Sequence, residues 1–246
     1  MGVSVRLDRL LANLGYGSRR EAQALIARGT VTLDGQRLRD PSAHVTATID
    51  LPQRMQVAGL PVDPPPPLTL ILHKPLGVVC SHREAGRSVY ELLPERWRHR
   101  TPVLSTIGRL DADTSGLLLL TDDGALLHRV ISPRRHVPKA YLAGLERDLT
   151  GREGALFASG ALVLDGEEKA LAPAVLQPIG PRQARLTVTE GRYHQVRRMF
   201  AAAANHVVSL HRQSIGALNL PADLDPGAWR VATQADIDCV FAAPEP

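Results

Sequence analysis

The stretch GRLDADTSGLLLLTDDG, residues 108–124, surrounds a run of leucines with four aspartates. Because a short apolar run bounded by turn residues is typical of a strand, residues 116–121 are predicted to form one. Two aspartates precede this strand and two follow it: Asp111, Asp113, Asp122 and Asp123. The chemistry of the stretch depends on which of these carboxylates does more than close a turn.

Turn and cap positions account for three of the aspartates. Asp113 is predicted to begin a turn over residues 113–116, and Asp122 or Asp123 to cap a helix that starts near Ala125, since aspartate is common at both kinds of position. No predicted turn or helix-cap position accounts for Asp111. It is therefore the candidate for a chemical role.

Two metal-binding interpretations of the same acids fit poorly. A phosphatase of the haloacid-dehalogenase type places a strand before DxDx[TV], whereas here the strand follows the acids and Ser115 stands where that pattern has Thr or Val. It is kept only as a lesser alternative. An EF-hand loop is excluded, because its ligand spacing and final glutamate are absent. Cys80 and Cys239 belong to no cluster with metal-ligand spacing, so we expect no metal site and no disulfide.

The composition of the chain restricts its expected cellular compartment and binding partner. The 246-residue chain has a formal net charge of +4 and a pI of about 9.4, which favours a polyanionic partner. No apolar run reaches the length of a membrane span, so we expect no membrane partner. A chain with only two cysteines suits a reducing compartment, and we expect a cytoplasmic protein.

A proline-rich segment divides the chain. The residues PVDPPPP, 61–67, include five prolines, which predict an extended linker without helix or sheet between domains at 1–60 and 68–246. After the linker, short β-like runs alternate with helical patterns, which predicts an α+β domain around a mostly antiparallel or mixed sheet flanked by helices. The strands are predicted at 68–73, 78–82, 103–107, 116–121, 139–145, 184–189 and 207–216, and the helices at 121–131, 149–158, 192–204 and 233–241.

The first domain is predicted to contain two helices and a hairpin. The first helix, LDRLLANLG, ends at Gly15, and a capping box of Ser18 and Glu21 opens the second, which ends at Gly29. Asp34-Gly35 between alternating arms indicates a hairpin turn. Residues 1–60 hold eight arginines and five acids, so most of the excess positive charge lies in the smaller domain.

This order of elements resembles the S4 RNA-binding domain over roughly residues 5–50. The resemblance implies that the paired helices and the following turn hold an RNA backbone. It makes Arg6, Arg19, Arg20 and Arg28 candidate RNA contacts. The alternative is that these arginines only solvate a helix face.

The stretch at 108–124 resembles the signature GRLDxxTxGLLLLTxDG of the RsuA/RluB branch of RNA pseudouridine synthases. Further matches follow in the family's order: HKPLGVVCS (73–81), SPRRHVPKAYL (132–142), EGRYHQVRRMFAAAANHVVSLHR (190–212) and IGALNLPADLDPGAWR (215–230). With the S4-like domain, the resemblance spans almost the whole chain. It implies an S4-like domain followed by a pseudouridine synthase domain, with Asp111 as the catalytic residue.

The resemblance also implies roles for other residues of the catalytic domain. Arg197 is expected to be the counterion of Asp111, and Tyr141 of the KxY motif to lie against the target base instead of in the core. His73 departs from the family's asparagine. The remaining candidate RNA contacts are Lys74, Arg109, Lys139, His194 and Arg198, of which the two lysines have loop ordering, and Arg198 a solvated face, as alternatives.

The implied activity is isomerisation of one uridine to pseudouridine in ribosomal RNA. The target implied is small-subunit rRNA at uridine 516 in the usual rRNA numbering, with a large-subunit enzyme or a non-catalytic assembly factor as alternatives. The expected partner is ribosomal RNA or a small-subunit assembly intermediate, bound by a monomer without cofactor, nucleotide or metal. Whether Asp111 attacks C1′ or removes the C2′ proton stays open, because either role needs an ionised carboxylate.

Overall fold

The computed structural model describes residues 2–81 and 85–243. The strands are β1 Val3–Arg6, β2 Val31–Leu33, β3 Gln36–Leu38, β4 His44–Ala47, β5 Met55–Val57, β6 Leu60–Pro61, β7 Thr69–Lys74, β8 Val78–Val79, β9 Arg87–Ser88, β10 Ser105–Thr106, β11 Thr114–Thr121, β12 Lys139–Leu145, β13 Val175–Gly180, β14 Gln183–Val188, β15 Val207–Ile215, β16 Leu218–Asn219 and β17 Trp229–Val231. The helices are α1 Leu7–Asn13, α2 Arg19–Ala27, α3 Leu51–Arg54, α4 Gly124–Ile131, α5 Glu153–Ala158, α6 Gln195–Ala202 and α7 Gln234–Phe241. Short 3-10 helices cover Val89–Leu92, Glu95–His99 and Pro133–Arg135.

The chain forms two compact units. The first contains residues 1–69, 93–105 and 121–124, and the second contains 70–92, 106–120 and 125–246. The prediction that the proline-rich segment contains no sheet structure is wrong at its first residue. Pro61 belongs to β6 and pairs with Gln56 of β5, and β6 is an edge strand, where a residue without an N–H is tolerated. The predicted domain limits at 60 and 68 stay a prediction.

The first unit has the predicted helices and hairpin. The Ser18 hydroxyl accepts from the Glu21 N–H and the Glu21 carboxylate accepts from the Ser18 N–H, so the capping box is confirmed. Asp34 and Gly35 both have positive φ, at 49° and 79°, as the turn between β2 and β3 requires. Strands β3, β2, β5 and β6 form a sheet in that order, and β1 pairs with β4. Leucines of α1 and Ile26 of α2 lie in the core of this unit.

A mixed sheet organises the second unit. Its strands follow the order β13-β14-β12-β15-β11-β7-β17, with β11 and β15 parallel and β12 antiparallel to both β14 and β15. This confirms the predicted α+β fold with a mixed sheet. Val196, Met199 and Phe200 of α6 are buried in the core beside β12, β14 and β15, because their spacing places them on one side of the helix.

Several predicted boundaries change. The helix predicted at 192–204 is limited to α6, because His194 adopts a left-handed conformation (φ 49°) directly before it. Strands β13 and β17 were not predicted. The run predicted at 78–82 forms only β8 in its first two residues, and its last residue, His82, lies outside the described residues.

The turn predicted over residues 113–116 is wrong. Residues 114–116 belong to β11, because the turn closes earlier, where the Thr114 N–H donates to the Asp111 carbonyl at 3.0 Å. Of the two aspartates predicted to cap α4, Asp123 directly precedes the helix and its cap stays a prediction. Asp122 does not cap α4. Its carboxylate accepts from the Leu68 N–H at 2.7 Å and pairs with Arg100 at 3.3 Å, since that buried guanidinium needs a counter-charge.

A buried carboxylate in the first unit binds two of the candidate RNA-contacting arginines. The Asp8 side chain is fully buried and accepts hydrogen bonds from Arg6, Arg19 and Gln23. The Arg6 guanidinium, then Gln23 and Arg19, hold the pKa of the Asp8 carboxyl well below its usual range, against the opposing effect of burial. Arg6 and Arg19 therefore have a structural role, whether or not they contact RNA. Arg20 and Arg28 are exposed.

We expect Asp8→Asn to lower the free energy of unfolding by about 1.5–3 kcal/mol at pH 7, the usual contribution of hydrogen bonds to a charged group. Because the folded-state pKa is depressed, this stabilisation is present above the unfolded-state value near pH 4 and is lost as pH falls towards the folded-state pKa. Urea denaturation at several pH values measures both effects. Asp34→Asn, at a carboxylate that is 55% exposed, is the control and should have a much smaller effect. An equal loss in both variants would contradict the prediction.

Candidate active site

Asp111 lies on the loop between β10 and β11, and the backbone around it is firmly held. The side chain of Leu110 is buried and its N–H donates to the Cys80 sulfur at 3.5 Å. The Gly77 N–H donates to the Ala112 carbonyl at 2.7 Å. The Asp111 side chain itself is 35% exposed, so its carboxylate is open to a ligand while its backbone stays in place.

Lys74, the last residue of β7, binds the backbone of the same loop. Its side chain is fully buried, and its ammonium donates to the carbonyls of Pro75, Asp111 and Thr114 at 2.8–3.1 Å. Burial lowers the pKa of Lys74. The prediction that Lys74 contacts RNA is therefore wrong, because its donors are already used inside the fold, and the loop-ordering alternative describes it.

The partner of Arg197 differs from the one predicted. Its Nη2 lies 2.8 Å from the Asp113 carboxylate and 3.1 Å from the Asp113 carbonyl, and its Nη1 donates to the Val207 carbonyl at 2.8 Å. The group beside the Asp111 carboxylate is instead His194, whose Nε2 is 3.3 Å away. The resemblance correctly implied an aspartate as the partner of Arg197, but it implied Asp111, two residues before the aspartate that Arg197 binds.

Strand pairing brings Tyr141 and Arg212 together. Tyr141 on β12 lies opposite Arg212 on β15, after a register shift between Ala140 and Tyr141. Directly opposite residues share a face of the sheet, and the Arg212 guanidinium lies 6.0 Å from the centre of the tyrosine ring. Its Nη1 donates to the Tyr141 hydroxyl at a long 3.4 Å. The Arg212 guanidinium therefore contacts both the ring and the hydroxyl of Tyr141.

Arg212 is buried to 1% exposure, which is unusual for an arginine. Its Nε donates to the Leu117 carbonyl at 2.7 Å, while its Nη2 is buried without a hydrogen-bond partner. Gly116 lies opposite Arg212 on β11, and a Cβ at position 116 would collide with the Arg212 backbone. The close pairing of β11 and β15 at this point thus requires glycine.

Arg198 and Arg192 bind a glutamate instead of facing solvent. Arg198 pairs with Glu167 at 3.0 Å and donates to the carbonyls of Asp165 and Tyr193. Arg192 pairs with Glu167 and Glu190, both at 3.3 Å. These contacts occupy its guanidinium, so Arg198 has a structural role and is not simply part of a solvated face, whether or not it contacts RNA.

These residues line a cleft of about 480 Å³, a volume typical of small-ligand sites. Its lining carries five cationic side chains against two carboxylates. The cations are Arg109, Lys139, Arg192, Arg197 and Arg212, and the carboxylates are Asp111 and Glu190. The cleft therefore favours an anionic ligand.

Lys139 is the cation in this cleft whose charge responds to pH near neutrality. Its Nζ donates to the Val137 carbonyl at 2.9 Å. Burial, and secondarily the positive charge of Arg212, lower the pKa of Lys139 to about 8. Arg109 is exposed at the same cleft, next to Leu110.

The cleft brings together Asp111, Tyr141 and Arg197 as predicted, with Arg109, Lys139 and His194, while Arg212 was missed. Arg212 is the last residue of the motif at 190–212. The feature that could have identified it is its inward-facing position on a strand, two residues after the buried Leu210. Among residues 2–81 and 85–243, no group of three or more His, Cys, Asp or Glu could hold a metal ion. Within the same ranges, no helix is long and apolar enough to cross a membrane.

Comparison with known proteins agrees with this geometry. Residues 69–202 match the family model for RNA pseudouridylate synthase, and residues 5–48 match the S4 domain. The ribosomal small subunit pseudouridine synthases A of Pseudomonas aeruginosa and Escherichia coli (strain K12) are 42% and 41% identical to the chain, covering 95% and 96% of it and 99% and 100% of their own lengths. A crystal structure of a pseudouridylate synthase matches with a TM-score of 0.67 and 33% identity, over 96% of this chain and 99% of that one.

The chain therefore belongs to the RNA pseudouridylate synthase family and has an N-terminal S4 domain. It is an RNA pseudouridine synthase, an enzyme that isomerises uridine in RNA. Both resemblances are confirmed.

We expect Tyr141→Phe and Arg212→Lys to reduce the isomerisation rate non-additively, because Arg212 donates to the hydroxyl that the first substitution removes. The coupling should be about 1 kcal/mol, within the usual range for residues in contact. Single-turnover rates of the two single variants and the double variant measure it. The control is a second double-mutant cycle that combines Tyr141→Phe with Arg185→Lys, at an exposed arginine, and its losses should be additive. Additive losses in the first cycle would show that the contact does not affect the rate.

We also expect RNA binding by the wild type to weaken as pH rises through about 8, where the Lys139 ammonium loses its proton. The loss should approach about tenfold, a typical value for a hydrogen bond to a charged group. Lys139→Arg should keep its affinity between about pH 7 and 9, because arginine stays charged. Binding titrations at fixed ionic strength test this, and parallel pH curves for the two proteins would rule out an RNA contact by Lys139.

Proposed function

We propose that this enzyme isomerises one uridine of small-subunit ribosomal RNA, at uridine 516 in the usual rRNA numbering. The observation that carries the proposal is the match to two small-subunit enzymes over nearly their full lengths. The substrate is ribosomal RNA, free or within a small-subunit assembly intermediate, and the enzyme acts in the cytoplasm as a monomer. Its S4 domain would add affinity, with Arg20 and Arg28 as exposed contacts.

The catalytic group in this proposal is Asp111. The reaction breaks the C1′–N1 bond and joins C1′ to C5, while the C5 proton is lost and N1 gains one. Positive charge develops at the ribose, as in glycoside hydrolysis, so an anion beside the sugar stabilises the transition state. Asp111 can supply that anion whether it attacks C1′ or removes the C2′ proton. Its accessible carboxylate on a backbone fixed by Lys74 supports this role.

Tyr141 and Arg197 complete the proposed catalytic group. Tyr141 lines the cleft and would stack against the extruded uracil, as is usual for enzymes that act on a flipped base. Arg197 supports Asp111 indirectly, by holding both the carbonyl and the carboxylate of Asp113. The isomerisation involves no redox change, and we propose that it needs no cofactor, nucleotide or metal.

In a strain that lacks this enzyme, we expect small-subunit RNA to lose one pseudouridine, restored by the wild-type gene and not by Asp111→Asn. The amide keeps the size of the side chain but cannot supply an anion. Asp113→Asn is the matched control and should restore the modification, because the Asp113 carbonyl still binds Arg197. Mapping of pseudouridine in both ribosomal RNAs provides the measurement.

Each other outcome of this experiment identifies a different error. A pseudouridine lost from large-subunit RNA would replace the proposed target. No loss from either RNA, together with retained RNA binding, would favour a non-catalytic assembly factor. Restoration by Asp111→Asn but not by Asp113→Asn would move the catalytic assignment two residues along.

A further inference from the structure

An exposed tyrosine lies at the cleft and is not used by the proposed reaction. Tyr193 is 75% exposed and lines the cleft, whereas Tyr90, Trp97, Phe157 and Phe200 are buried. Burial of an aromatic ring is a large source of stability, and an exposed ring contributes little of it. The position of Tyr193 is therefore better explained by a ligand than by the fold.

The Tyr193 ring is held in place although it is exposed. It stacks on the ring of His194 with 3.8 Å between centroids and 18° between planes. The Tyr193 carbonyl accepts from Arg198 at 3.2 Å, and Arg198 is bound in turn to Glu167. The backbone and one ring face are thus fixed, and the rest of the ring is open to solvent. A preorganised aromatic surface of this kind is typical of single-stranded nucleic acid sites.

His194 connects this surface to the proposed catalytic carboxylate. Its Nε2 lies 3.3 Å from Asp111, so a single imidazole separates the Tyr193 ring from Asp111. His194 also has a left-handed backbone at φ 49°, a strained conformation for a residue other than glycine. Such strain is often found at functional sites. The surrounding structure keeps the two rings stacked beside Asp111.

A uridine that enters the cleft leaves its neighbours in the RNA without a stacking partner. Extrusion costs unstacking energy, and an aromatic side chain at the entrance can recover part of it. The neighbouring phosphates carry negative charge, and the exposed Arg109 lines the same cleft. The chemistry next to Tyr193 thus suits a nucleotide.

We propose that Tyr193 binds the nucleobase next to the target uridine by stacking on it, which rests on the proposed role of Asp111. The site takes any of the four bases, because every base has a stacking face. It therefore contributes affinity and helps to hold the uridine in the extruded position. The Tyr193 hydroxyl is not needed for this role.

The test uses Tyr193→Ala, Tyr193→Phe and Tyr193→Trp in the full-length protein. Loss of one base–aromatic stack should weaken RNA binding and raise KM by about 5- to 100-fold in Tyr193→Ala, with a much smaller change in kcat. Phenylalanine and tryptophan should preserve binding, because both keep a ring. Val208→Ala, at a side chain that is 61% exposed and outside the cleft lining, is the control for loss of exposed apolar surface and should match the wild type.

A spectroscopic measurement identifies the contact itself. The RNA carries 2-aminopurine on either side of the target uridine in turn, and is bound to Asp111→Asn protein so that no turnover occurs. We expect stacking on Tyr193 to quench the fluorescence at one of the two positions. The quenching should be lost when Tyr193→Ala is added and kept when Tyr193→Phe is added.

The activity of the wild type is measured on the same RNA in parallel. An error in the proposed target RNA can therefore be distinguished from an error in the role of Tyr193. An inactive wild type would show that the proposed target RNA is wrong. An active wild type with unchanged binding and fluorescence in Tyr193→Ala would overturn the proposal for Tyr193. Loss of binding in all three variants would also overturn it, because a role that a phenyl ring cannot fill is not stacking.

Discussion

The buried ammonium of Lys74 is the interaction on which the arrangement of the cleft depends. Burial of a charged group is costly unless its donors are satisfied, and this one binds three backbone carbonyls. Two of those carbonyls, from Asp111 and Thr114, bracket the turn between β10 and β11. The lysine therefore fixes the backbone of Asp111 without contacting its carboxylate, which stays accessible beside His194.

A second polar cluster does the same for the other wall of the cleft. Glu167 pairs with Arg192 and Arg198, and these two arginines flank the segment that carries Tyr193 and His194. The Arg198 guanidinium, and then Arg192, lower the pKa of Glu167, so the cluster stays charged at neutral pH. Arginines that would otherwise be available to RNA are used to position a loop. Removal of Arg198 would therefore affect the cleft through the loop that this arginine positions.

Local signals in the sequence predicted the parts of the fold that have local causes. The Ser18 capping box and the Asp34-Gly35 turn depend on residues that are close in the chain. Long-range choices were not predictable in this way. Which carboxylate Arg197 reaches is decided by how β11 and α6 meet, and the burial of Lys74 depends on backbone carbonyls, which have no residue-specific signature. The family resemblance supplied the identity of Asp111, which the residues alone left only as an unexplained acid.

Two cations of the cleft lie beside groups that carry no full negative charge. Lys139 donates to a carbonyl, and Arg212 donates to a carbonyl and to the Tyr141 hydroxyl. Carbonyls and hydroxyls satisfy hydrogen-bond donors but do not cancel a full positive charge, so these groups are desolvated without being neutralised. The lowered pKa of Lys139 is a direct consequence, since burial and Arg212 both favour its neutral form. An RNA phosphate in the cleft would supply the missing negative charge and favour the protonated lysine, so the electrostatic cost in the free enzyme becomes a preference for a polyanion.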